Sequence, residues 1–132
     1  MTAQELRHAV EEAADGLVYT SESDRPFEWF QLPRADWPLA AEDFARAIGA
    51  APGTPLGERD LDEFFKRHIE TSDPYDARAQ EIRPRYEALR ELLRRHLRDV
   101  RVYRVGYVEV ACYVVGGIDA GVAGVRTVAV ET

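Results

Sequence analysis

The chain has 132 residues, enough for one domain with a real core and too few for two. Its hydrophobic share of 45% and charged share of 31% exclude a disordered chain. The longest apolar run, Val110 to Val115, is of strand length and far short of the ~20 residues that cross a membrane. Glu5, Arg7, Glu11 and Glu12 near the start exclude a secretory signal, so a cytoplasmic protein with no membrane partner is expected.

The net charge of −7 is unevenly spread. Residues 1–76 carry 7 basic and 17 acidic side chains, a net of −10, whereas residues 77–132 carry 10 and 7, a net of +3. An acidic half repels nucleic acid directly and attracts basic surfaces, including those shaped to hold a phosphate backbone. The same charge also keeps a protein soluble. Cys112 is the only cysteine, so there is no internal disulfide, and in an apolar run its thiol is expected to pack as a small hydrophobe.

In chain order, Thr2-Ala3-Gln4-Glu5 is a capping box ahead of Leu6, Val10 and Ala13 or Ala14 at helical spacing, and Asp15-Gly16 closes that helix. Leu17 to Thr20 reads as a short strand and Ser21-Glu22-Ser23-Asp24 as a polar loop. Phe27 to Leu32 alternates as a second strand. Asp36 is placed to cap a helix over Trp37 to Ile48, with Pro38 in its first turn and Gly49 at its end. Ala51 to Pro55 is a loop, and Asp60 caps a helix through Phe64, Phe65 and Ile69. After the turn residues Thr71 to Pro74, the longest helix is expected: a looser first turn from Ala77, disturbed by Pro84, then a firm run to Leu97 with Tyr86, Leu89, Leu92, Leu93 and Leu97 on its apolar stripe. From Val100 the residues turn β-branched and aromatic, giving strands over Arg101–Val105, Tyr107–Val115 and Gly124–Val130, with Gly116 to Gly121 as the tight connection. No helix separates these three, so an antiparallel meander follows, and helices before strands give an α+β domain.

Catalytic signals are poor. His8, His68 and His96 lie far apart and outside any metal-ligand spacing, no serine sits in a nucleophile elbow, and the glycines after Val115 precede a strand rather than a helix. Two features remain. One is the hydroxyl-rich Ser21-Glu22-Ser23-Asp24 loop, which could present a carboxylate to a hard cation or be an ordinary Asx/Ser turn. The other is a strand running to the chain end at Val130-Glu131-Thr132, which would fix a terminus that ordinarily frays.

The run from Gly16 to Glu28 (GLVYTSESDRPFE) resembles the opening motif of the nuclease A inhibitor family, and the likeness resumes at Asp60–Arg67, Val102–Gly106, Tyr113–Gly116, Val122–Thr127 and the terminal Val130-Glu131-Thr132. The resemblance implies an α/β/α-type sandwich with a mainly antiparallel sheet, which plugs the active site of a sugar-non-specific DNA/RNA nuclease of the ββα-metal kind. It implies that Glu22 approaches the nuclease's Mg²⁺ and that Thr132 comes to the same place, so both should lie together and exposed. Ser21, Ser23, Asp24, Asp73, Tyr75 and Glu131 complete the expected partner-binding set. No cofactor and no metal of its own are expected. The family's Asp-Trp-Tyr turn is Asp73-Pro74-Tyr75 here, so its central tryptophan, an interface anchor, is missing; residues 31–58 and Ala77 to Arg85 also match poorly. Two other readings stay open at this point: an inhibitor-like fold that binds a different protein, and a small enzyme using Glu22 with Asp24 as an acid–base pair.

Overall fold

A computed structural model describes residues 1–70 and 75–132. Helix α1 (Ala3–Ala14) starts on the full reciprocal capping box of Thr2 and Glu5 and buries Leu6, Val10 and Ala14, one face at a spacing of four. Gly16 follows at φ +77°, turning the chain into β1 (Val18–Thr20), which pairs antiparallel with β2 (Asp24–Pro26). Then come β3 (Glu28–Pro33), α2 (Ala41–Ala47), β4 (Leu56–Arg59), α3 (Leu61–Ile69) and α4 (Ala77–His96). The chain ends in the meander β5 (Arg98–Tyr107), β6 (Glu109–Ile118) and β7 (Gly121–Val130).

The main sheet has five strands in the order β3-β7-β6-β5-β4, every pair antiparallel. Alternate residues of the meander feed opposite faces. Val102, Cys112, Val114 and Val125 join α1, α3 and α4 in one core, and Tyr103, Tyr113, Val115 and Val122 join Phe44 of α2 in the other. This is the expected sandwich: α+β, with the sheet between two helical layers and the three-strand meander at the C-terminus. Cys112 is fully buried in the first core, and burial pushes its thiol pKa up, as for a packing residue.

Several boundaries differ from the sequence reading. No helix spans Trp37 to Ala40. Proline at 38 disfavours a helical Trp37, and the segment instead runs over the sheet, where the Trp37 indole donates to the Asp99 carbonyl at 2.9 Å and Tyr103 donates to the Leu39 carbonyl. Strands β2 and β4 are additions. Gly116 and Gly117 lie inside β6 and the turn is Asp119-Ala120. A Cβ on Gly116 would stand 2.7 Å from the Arg98 carbonyl oxygen, so this glycine serves close approach to β5. Pro84 sits within a continuous α4, on an exposed position ahead of the first buried residue, Tyr86.

Candidate functional site

The two ends of the expected site are joined directly. The Glu22 carboxylate accepts the Thr132 main-chain N–H at 2.7 Å and the Thr132 hydroxyl at 2.8 Å, and both residues are exposed. A ladder beneath them makes this possible. The Val130 carbonyl accepts the Glu22 N–H at 3.2 Å, and the Ser21 hydroxyl accepts the Val130 N–H at 2.9 Å. Ser21 also donates to the Ser23 carbonyl at 3.2 Å, folding the loop on itself. Half-buried Ser23 keeps its own hydroxyl inside without a partner among the described residues, whereas Asp24 is exposed in β2 opposite Thr20.

The terminus is fixed beyond the last paired strand residue. The Glu131 N–H donates to the Val108 carbonyl at 2.8 Å, and its carboxylate pairs with Arg104. Arg25 pairs with Glu109 at 3.5 Å, and the Arg25 carbonyl accepts the Thr127 hydroxyl at 3.3 Å, tying the β1–β2 ribbon to β7. Arg25 and Arg104 are thus engaged by other carboxylates, and Glu22 forms no ion pair among the described residues.

The helical layer supports the loop from behind. The Tyr86 hydroxyl donates to the Val18 carbonyl at 2.6 Å and accepts the Val18 N–H at 3.3 Å. Thr20, next to the loop, donates its N–H to His68 Nε2 at 3.3 Å, and its carbonyl accepts from Arg67 at 2.7 Å. His68 stacks on Tyr86 with ring centroids 4.4 Å apart. Burial, reinforced by Arg67, lowers its pKa from 6.5 to about 4. Sequence spacing offered no signal for these supports, since 47 to 68 residues separate the partners.

Of the other expected residues, Tyr75 is 92% exposed at the approach to α4, and Asp73 lies outside the described residues. Among the described residues no group of three His, Cys, Asp or Glu side chains could hold a metal, and no helix is long and apolar enough to cross a membrane.

Comparison with curated proteins finds no match. The family model for nuclease A inhibitor-like proteins matches residues 4–132, a span that includes the segments 31–58 and 77–85 where motif likeness is weak. The chain therefore belongs to the nuclease A inhibitor-like family.

Proposed function

We propose that this protein inhibits a sugar-non-specific DNA/RNA nuclease of the ββα-metal kind by seating the Glu22 carboxylate on the nuclease's catalytic Mg²⁺. One observation carries the reading: an exposed carboxylate, held by two donors of Thr132 and engaged by no cation among the described residues. A side chain already fixed in one rotamer gives up less freedom on binding. A carboxylate has about four acceptor sites, so two hydrogen bonds leave lone pairs for a metal. Mg²⁺ takes oxygen ligands and is commonly held by carboxylates together with substrate phosphates. Glu22 then stands where a phosphate oxygen would bind, and Thr132 comes to the same place. The protein carries out no reaction of its own, needs no cofactor and touches protein rather than nucleic acid. Ser21 and Ser23 shape the tip, Asp24 and Glu131 flank it along the chain, and exposed Tyr75 belongs to the same partner-binding set.

Glu22→Gln keeps shape and removes charge. Truncating a charge buried against its partner costs roughly 2–5 kcal/mol and appears in dissociation. The variant should therefore leave the nuclease at least tenfold faster, with Glu28→Gln close to wild type and removal of Thr132 giving a smaller loss. Stopped-flow association and chase dissociation with a Mg²⁺-loaded ββα-metal nuclease measure this. Full inhibition by Glu22→Gln would end the metal-plug reading and leave a fold that serves another partner.

A further inference from the structure

The loop and terminus that form the Glu22 tip are small, whereas a stable protein–protein interface buries about 800 Å² on each partner. The contact must extend over neighbouring surface, and the exposed apolar residues mark a direction. Five large hydrophobic side chains are exposed among the described residues, and three of them, Leu56 (38%), Tyr107 (81%) and Val108 (37%), line one shallow hollow with Glu131. That hollow is joined to the last residues through the Glu131 N–H to Val108 carbonyl bond, and the next residue, Thr132, is the one Glu22 holds. Pro55, Val110, Arg59 and the Arg104–Glu131 ion pair also line the hollow, and the Pro55 carbonyl accepts the Gly106 N–H at 3.0 Å, docking the hairpin on β4.

The turn that offers these side chains is strained. Val108 has φ +66°, a left-handed conformation that is an outlier for a β-branched residue and ordinary for glycine or asparagine. A turn selected for folding alone would place one of those here. Strained backbone gathers at binding and catalytic sites, and here it holds Tyr107 out and presents Val108 beside the terminus.

Resting on the function proposed above, we infer that the β5–β6 turn, with Tyr107 as its anchor and Val108 and Leu56 around it, is the apolar half of the nuclease-binding surface. It packs on an apolar patch of the same nuclease, at the rim of the metal site that Glu22 enters. Tyrosine suits this place, since it brings large area at little conformational cost and is enriched among residues that carry binding energy.

Tyr107→Ala and Val108→Asn test this with the full chain against a Mg²⁺-loaded ββα-metal nuclease. Tyr107→Ala should speed dissociation at least tenfold with folding stability unchanged. Val108→Asn should raise the melting temperature by relieving the turn and yet dissociate several-fold faster, opposite signs that a purely structural residue would not give. Wild-type dissociation in Tyr107→Ala, while Glu22→Gln is impaired, overturns this inference and leaves the metal plug standing. A wild-type protein that does not slow the nuclease overturns both. A wild-type dimer that Tyr107→Ala converts to monomer, by light scattering, also overturns it, assigning the face to a second copy of the chain.

Discussion

His68 ties the Glu22 loop to the helical layer, and its chemistry makes that tie depend on pH. The ring accepts the Thr20 N–H through Nε2, which it can do only when that nitrogen is unprotonated. Its pKa is about 4 in the folded protein against 6.5 for an ordinary imidazole. Between those values the unfolded chain holds a proton that the folded one lacks, so stability rises with pH there. The contribution is complete above pH 6.5 and is lost as pH falls toward 4. The ring is only half-buried, so after solvent screening the loss is about 1–2 kcal/mol. Gln at this position keeps an acceptor for Thr20 but does not titrate. Urea unfolding at pH 7, 5.5 and 4.5 should show wild type losing more stability than His68→Gln, and parallel losses would remove His68 from the acid response. The sequence placed this histidine at a helix end and no further, because its partners come from β1 and α4.

Element by element, legibility followed length and burial. α1, α3, the firm part of α4 and the meander were readable because each buries a repeating face: Leu6 with Val10 and Ala14, Phe64 and Phe65, Tyr86 with Leu89 and Leu93. β2 and β4 were not, since three- and four-residue strands with almost wholly exposed or half-buried side chains have no period to detect. α2 was misplaced because it is only 7 residues long and lacks a side-chain cap; its position comes from tertiary contact. Phe44 is fully buried and packs on Phe30, Tyr103 and Tyr113 with ring centroids 5.9, 5.1 and 5.2 Å away. Of the proposed site, Glu22 and Thr132 were legible through motif likeness, whereas the exposed turn inferred to join them was not: Tyr107 read as the first residue of a strand, and no feature of its sequence announces a left-handed Val108. The α2 packing is on the sheet face opposite the helices that hold the Glu22 loop. Phe44→Ala should therefore cost roughly 3–5 kcal/mol of stability, as aromatic deletions in cores do, while the folded fraction keeps wild-type dissociation from the nuclease. A large change in dissociation at a temperature where the variant is folded would show that the two faces are coupled.

For the whole molecule, the net charge of −7 acts at longer range than any contact. In the proposed complex, encounter with a groove built for phosphate is accelerated by the summed field, and the field is screened over a Debye length of about 10 Å at 0.1 M salt. Association and dissociation should then separate cleanly. Glu11, Glu12 and Glu42 are exposed and lie on α1 and α2, outside the Glu22 loop and the β5–β6 turn. Each contributes to the field without touching the proposed interface. Changing all three to glutamine should slow association several-fold at low salt and leave dissociation untouched. Glu22→Gln should do the reverse, acting chiefly on dissociation. At 0.5 M salt the triple variant and wild type should associate at nearly the same rate, because the Debye length is then below half the ~10 Å of 0.1 M salt. An association rate that is indifferent to salt in the wild-type protein would mean the acidic surface serves solubility alone, and short-range contacts at the tip would have to account for binding unaided.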